Sequence, residues 1–299
     1  MKKYAQGKYG KFISVAGNPF YPAYVIKGRD KNLMIDAGVN LYGPLYIKTL
    51  ETILEDPGKL DYNFITHSHY DHLGSVTYLK RKITGLKIGG APKINDLMKK
   101  ESVLQKMTAL SEVQREMFKD IVGNEDVRLE PFELDFNLKE GDCFDLGDVT
   151  VEVYETPGHT QDSLSYFVPQ IRALFPGDSI GLPDGIDDYN YQVEFLSSFK
   201  DYLGSIEKMI SIEPEFVGFA HGFIFTSKDA IDYLHGAHRT AFIHKEMIER
   251  YLNENNGDIK KTIEKITKDE YDDGERYQER NAYIENLTAQ VNHIAKIKA

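Results

Sequence analysis

Short apolar runs broken by glycine, proline and asparagine fill the chain from Phe12 to about Phe225, and a different pattern takes over from Thr226. In the first part, Tyr24-Val25-Ile26-Lys27 and Asn32-Leu33-Met34-Ile35-Asp36 read as two early strands. Tyr62-Asn63-Phe64-Ile65-Thr66 alternates as a strand edge does, Val149 to Glu155 is extended, and Ala173-Leu174-Phe175 and Phe216-Val217-Gly218 are short apolar segments. Cys143 to Tyr154, with Gly147-Asp148 at its centre, predicts a hairpin. Helices are interposed. Tyr46 to Leu54 predicts one, stopped by Asp56-Pro57-Gly58. Gly74 to Lys82 predicts a second, and Asn95 to Gly123 predicts a long exposed helical stretch. Glu194 to Ile212, with Phe195, Phe199, Leu203 and Ile206 on one stripe, predicts an amphipathic helix.

From Thr226 to Lys298 there is no proline, glycine is sparse and helix formers dominate. Thr226-Ser227-Lys228-Asp229 has the spacing of a capping box, and Tyr233, Ala237, Ala241, Met247 and Tyr251 continue a helical stripe. Breaks at Asn255-Asn256-Gly257-Asp258 and Asp272-Asp273-Gly274 divide the segment into three predicted helices. The expected organisation is therefore a catalytic unit over residues 1–225 and a helical extension over 226–299.

The chemistry is concentrated in Thr66-His67-Ser68-His69-Tyr70-Asp71-His72-Leu73-Gly74, which follows the strand edge. Imidazoles and a carboxylate packed this densely repel or desolvate one another unless a cation sits among them, and zinc, iron and manganese all accept such ligands. Three later residues follow short apolar segments and sit beside glycines: His159 in Pro157-Gly158-His159-Thr160, Asp178 in Pro176-Gly177-Asp178-Ser179, and His221 in Ala220-His221-Gly222. Strand-end loops that turn sharply are where binding residues gather. The remaining helical-segment histidines, His235, His238, His244 and His293, carry no such context and are expected to be structural.

In this order and spacing, the HxHxDH string, the GH, the GD and the final HG resemble the metallo-β-lactamase superfamily. Within it the chain is similar to glyoxalase II-like enzymes and, most closely, to the quinolone-signal thioesterases, which also carry helices after the final histidine. The resemblance implies an α/β fold, the αββα sandwich, with the C-terminal helices roofing the site. It also implies two divalent metal ions, zinc, iron or manganese. His67, His69 and His159 would hold one, Asp71, His72 and His221 the other, and Asp178 would bridge them. Asp71 and Asp178 are then the catalytic carboxylates. A glutamate at the Asp71 position would have suggested the flavodiiron type instead. Two such cations lower the pKa of a shared water, so that hydroxide is available at neutral pH to attack an electrophilic carbonyl or phosphorus. Asp36, at the end of a predicted strand, is the candidate outer partner of a ligand. Tyr70, Tyr191 with Tyr189, and Phe20-Tyr21 are the aromatic pocket candidates, and the polar loop Ser179 to Asn190 is a candidate rim.

Composition narrows the substrate. The 299-residue chain carries 36 Lys and Arg against 47 Asp and Glu, a net charge of −11. An acidic surface repels phosphate backbones unless it has a local basic patch, and the nearest candidates, Lys80-Arg81-Lys82 and Lys99-Lys100, read as a solvated helix face. No nucleic-acid partner is expected. No apolar run reaches the roughly 18 residues of a membrane span, and no signal-peptide region follows Met1-Lys2-Lys3. Cys143 is alone, which fits a reducing, cytoplasmic setting. The expected partners are a small-molecule substrate and a second copy of the chain in a homodimer. Hydrolysis of a small thioester or ester is the reading that fits. A phosphodiesterase or ribonuclease of the same superfamily and a regulatory binding protein on this fold are the alternatives.

Overall fold

In the computed structural model, residues 1–186, 190–272 and 280–298 are described. Tyr189 and the predicted break at Asp273-Gly274 lie outside them. The strands are β1 (Lys2–Tyr4), β2 (Gly7–Tyr9), β3 (Ile13–Ala16), β4 (Ala23–Lys27), β5 (Asn32–Ile35), β6 (Tyr62–Phe64), β7 (Lys87–Gly90) and β8 (Phe136–Asn137). They continue as β9 (Cys143–Asp145), β10 (Thr150–Glu155), β11 (Leu164–Val168), β12 (Ala173–Phe175), β13 (Leu182–Asp184), β14 (Asn190–Gln192), β15 (Phe216–Gly218) and β16 (Phe223–Thr226). Two seven-stranded sheets result, in the orders β2-β3-β4-β5-β6-β7-β8 and β1-β16-β15-β12-β11-β10-β9, with β13 and β14 as a separate ribbon. From β5 to β8 the first sheet is parallel, so successive strands end at the same edge.

Side-chain alternation sorts the apolar residues into three layers. Tyr24 and Ile26 of β4, Leu33 and Ile35 of β5, and Tyr166, Val168 and Phe175 of β11 and β12 meet in the core between the sheets. Their neighbours Val25 and Met34 point the other way, into helices that cover the first sheet. Phe167 and Leu174 do the same on the second sheet, where they join the C-terminal helices. This is the αββα sandwich.

The helices differ from the sequence pattern in instructive places. The expected Asn95–Gly123 stretch is three pieces, Lys93–Met98, Glu101–Glu112 and Lys119–Val122, and Met107, Phe118 and Val122 bury one face of it. The capping box does not form: Ser227 has φ 56° and no side-chain cap bond, and the helix starts at Lys228. The Glu194–Ile212 helix begins only at Phe199, capped by Ser198 accepting from the Asp201 N–H. Glu194 and Phe195 precede it as irregular backbone. The hairpin holds, with Asp145 opposite Thr150.

After residue 226, the helices Lys228–Glu254, Ile259–Ile266 and Arg280–Lys298 share one apolar cluster with the outer face of the second sheet. Among the described residues, no helix is long and apolar enough to cross a membrane. The basic run Lys80-Arg81-Lys82 is engaged by Asp135, Glu130 and Glu125 respectively.

Candidate metal centre

Every metal-ligand candidate lies just beyond the C-terminal end of a strand on one edge of the sandwich. The 66–72 string follows β6, His159 follows β10, Asp178 follows β12 and His221 follows β15. Several hydrogen bonds join the two sheets there. Leu164 N–H donates to the Thr66 carbonyl at 2.7 Å, Tyr166 OH to the Ile65 carbonyl at 2.7 Å, and Tyr24 OH to the Phe219 carbonyl at 2.6 Å. Ligands from different sheets are thereby held at fixed separation. Gly177, at φ 55°, leaves no room for a side chain: a Cβ there would lie 2.8 Å from Thr66.

All seven predicted ligands come together, in two groups. His67, His69, His159 and Asp178 form one and Asp71, His72 and His221 the other, each with its ligand atoms within 4.8 Å of one another. Asp178 stands between them: its Oδ2 is 3.8 Å from His67 Nε2, 3.6 Å from His159 Nε2 and 3.3 Å from His72 Nε2. His221 Nε2 lies 3.5 Å from Asp71 Oδ2.

The rings are aimed by hydrogen bonds at their other nitrogens. His72 Nδ1–H donates to Asp36 Oδ2 at 3.0 Å, which places the strand-end aspartate where an outer partner of a ligand would stand. Asp36 also accepts from the Thr66 N–H at 2.8 Å and from the Thr66 hydroxyl, whose oxygen lies 3.1 Å from His67 Nδ1. His159 Nδ1–H donates to the Glu194 carbonyl at 2.7 Å, and His221 Nδ1–H to that of Phe20 at 3.0 Å. Three imidazoles of the set therefore spend Nδ1 on the protein and turn Nε2 inward, and His67 follows through Thr66. His69 is the exception, with Nδ1 3.1 Å from His159 Nε2.

Do these residues fit a cation? His67 Nε2, His72 Nε2 and Asp178 Oδ1 are buried with no hydrogen-bond partner. Buried polar atoms are ordinarily satisfied, so inward-facing acceptors without donors are the signature of a cation site. The electrostatics agree. Burial, with the neighbouring imidazoles, holds His67 well below the ordinary histidine range and pushes His69 down to about 4; burial also lowers His159. Neutral imidazoles are what a metal requires. Burial opposes a charged His72 as well, but the Asp178 and Asp36 carboxylates outweigh it and raise it well above that range. The same pairing overcomes burial at Asp178, whose carboxyl is held well below the usual carboxylate value. Positive charge is thus called for where the two groups meet.

Of the aromatic candidates, Tyr21 stacks edge-on against His221 at 5.5 Å between centroids and donates its hydroxyl to Gln114. Phe20 is exposed next to it. Tyr70 heads a short helix, Tyr70–Leu73, and packs half-buried against the helical layer of the first sheet. Tyr191 borders a cavity of about 760 Å³ under the C-terminal helices, together with Glu194, Met247, Tyr283 and Leu287. Tyr189 lies outside the described residues. Thr66 and Glu194 are participants that the sequence pattern did not single out. Thr66 was legible as the residue directly before the ligand string, whereas Glu194 acts through its carbonyl, which carries no side-chain signature. Of the helical histidines, His293 accepts through Nε2 from the Phe199 N–H at 3.0 Å, at the start of that helix.

A two-sheet sandwich with this edge cluster defines a class of metal-binding proteins. The chain belongs to the metallo-β-lactamase superfamily, whose family model matches residues 17–221. The metallo-β-lactamase fold-containing protein ST1585 of Sulfurisphaera tokodaii is 27% identical over 223 residues, 71% of this chain and 76% of its own. The hydroxyacylglutathione hydrolase of Rhodopseudomonas palustris is 30% identical over 122 residues, 41% of this chain and 34% of that enzyme, so this chain spans about a third of its length. Among solved structures, the metallo-β-lactamase family protein TTHA1429 of Thermus thermophilus superposes with a TM-score of 0.65 at 15% identity, covering 96% of this chain and 94% of that one. The archaeal ST1585 structure covers 99% and 98%, at 21% identity and a TM-score of 0.54.

Proposed function

We propose that this protein is a dinuclear metal-dependent hydrolase of small acyl substrates, a thioester or related ester being the bond it cuts. The observation that supports this most is the position of Asp178, within 3.3 to 3.8 Å of imidazoles from both ligand groups. Zinc, iron or manganese at both groups supplies an acidified water and a sink for the negative charge that develops on the substrate oxygen. The chain's own part is geometric. Asp178 accepts a hydrogen bond from the attacking water and fixes its direction between the two groups. Asp36 and the Glu194 carbonyl engage Nδ1 of His72 and His159 and so turn Nε2 of each ring inward, toward the place a metal would take. Asp71, less buried than Asp178, completes the outer group beside His221, accepts the proton that the attacking water loses and returns it to the departing thiolate or alkoxide.

The substrate class rests on the surroundings. A cavity of about 760 Å³, large enough for a small organic ligand, adjoins the site through Glu194; Met247, Tyr283 and Leu287 share its walls with Glu246, Arg250 and Glu270, and none of the seven ligand candidates lines it. A thioester is also what the partly matching hydroxyacylglutathione hydrolases act on by name. The acidic chain, with its main basic run engaged in ion pairs, does not favour a phosphodiester polymer.

A panel of acyl thioesters and p-nitrophenyl esters, run beside bis-p-nitrophenyl phosphate, tests the reading. Thioester hydrolysis that disappears on chelation and returns with added metal is expected. Faster cleavage of the phosphodiester would overturn the substrate class, and elemental analysis finding no metal after metal-replete expression would overturn the mechanism.

A further inference from the structure

A partly buried run of hydrogen bonds leads from the Arg280–Lys298 helix to the back of His159. Gln290, 3% exposed on Arg280–Lys298, donates Nε2 to the Val193 carbonyl at 2.6 Å, and its Oε1 lies 2.9 Å from His244 Nε2. One turn earlier, Asn286 Nδ2 donates to Glu194 Oε2 at 2.8 Å, while Gln192 holds the other carboxylate oxygen. The Glu194 carboxylate is fully enclosed, and its Oε2 sits 3.9 Å from His159 Nδ1. The Glu194 carbonyl is the acceptor for that same nitrogen.

The segment that carries this carbonyl belongs to no strand or helix. Sheet bonding therefore does not fix it. Val193 is held through its carbonyl by Gln290. Glu194 is held through its N–H by Tyr202 OH at 3.3 Å and through its side chain by Asn286 and Gln192. An imidazole turns softly about χ2, so the acceptor opposite Nδ1 decides both the ring plane and which nitrogen keeps its lone pair. A displaced acceptor leaves Nε2 misdirected or protonated.

We propose that Asn286 and Gln290 are positioning residues for His159, so that the C-terminal helix sets the affinity of the His67, His69 and His159 group for its metal. The proposal rests on the metal-centre reading. Outer partners of metal ligands affect affinity by roughly 10–100-fold, and here that influence reaches the site from a helix distant in sequence.

The experiment is zinc competition against a chromophoric chelator, with the full-length protein and its Asn286→Ala and Gln290→Ala variants. The expected result is a 10-fold or greater rise in the zinc dissociation constant of the tighter-perturbed site, with metal-free far-ultraviolet circular dichroism unchanged. Cobalt-loaded variants are expected to show altered visible bands, a signature that packing loss alone does not produce. Asn286→Asp keeps the shape but removes the donor, and serves if either alanine variant fails to fold; Asn286→Gln restores an amide donor and is expected to recover affinity. Asn292→Ala on the same helix, whose amide donates to the Thr288 carbonyl one turn back, is expected to leave affinity unchanged. Zinc affinities of the Asn286 and Gln290 variants within twofold of wild type would overturn the proposal while leaving the metal centre intact. A wild-type protein that binds no zinc, iron or manganese would overturn both.

Discussion

Asp36 sits at φ 63°, a left-handed conformation that aspartate tolerates better than most side chains. That turn at the end of β5 brings one carboxylate onto Thr66 and His72 together. Asp36→Ala is expected to weaken metal binding by about 10- to 100-fold, read by chelator competition. An affinity equal to wild type would show that His72 is aimed by packing alone. Asp178→Ala removes the carboxylate shared by both groups and is expected to abolish hydrolysis with the circular dichroism spectrum retained. A residual rate near wild type would contradict its role. In the metal-stripped protein the lowered histidines also dictate a pH response. His67, His69 and His159 bind protons at an ordinary value near 6.5 when unfolded but only lower, about 4 for His69, when folded. Their contribution to stability is therefore lost as pH falls through that window. His72 and Glu194 run the opposite way. Burial lifts Glu194 to about 8, and each raised group stabilises most at low pH and loses that contribution as pH rises. Below about pH 6 the unfolded chain takes up protons on these four histidines, while the folded one already holds those of His72 and Glu194. Urea midpoints of the stripped protein are expected to drop between about pH 6 and pH 4.5; a rise would refute the balance.

At the scale of elements, the loops after strands matter more than the strands. Gly158, directly before His159, has φ 131°, and a Cβ there would lie 2.3 Å from the Tyr202 backbone. Its carbonyl receives the N–H groups of Leu196, Ser197 and Ser198. Gly158→Ala is expected to lower the urea midpoint and to reduce metal loading, because the Phe199–Ile212 helix and the His159 loop cannot both keep their places. An unchanged midpoint would show that the loop relaxes freely. The same contacts explain a missed boundary. The apolar stripe through Phe195 and Phe199 suggested one helix from Glu194, but Leu196 to Ser198 spend their N–H groups on Gly158, so the helix waits for Ser198 to cap it. The Asn95–Gly123 stretch misled for the opposite reason. Its apolar positions are interleaved with charged ones along the whole stretch, yet Met107, Phe118 and Val122 find a core that the local pattern did not reveal. By contrast, the ligand string, the hairpin and the strand-end histidines were legible. Metal chemistry needs particular side chains at particular turns, and those leave a mark on composition; a carbonyl such as that of Glu194 leaves none.

For the whole molecule, the ligands come from both sheets: the 66–72 loop from the first, and His159, Asp178 and His221 from the second. Bound metal is then a cross-brace, and binding that favours only the folded state raises its stability by mass action. Chelation is expected to lower the thermal midpoint, with recovery on adding metal back. A midpoint indifferent to chelator would mean the sheets need no such brace. Shared packing also changes what truncation means. Leu174, Phe219 and Phe225 of the second-sheet region pack in one cluster with Tyr233, Leu234 and Ile248 of the long helix. Cutting the chain after residue 226 is expected to cost solubility rather than merely to widen the substrate range, as expression yield and light scattering will show.

The edge pairing of β1 with β16, Lys2 opposite Phe225 and Tyr4 opposite Phe223, ties nearly the earliest residues to the last strand. Those ladder bonds have no partner until almost the entire sandwich has been made. During synthesis on the ribosome, the second sheet must therefore close late, and a growing chain carries an open, pairing-competent edge for most of its assembly.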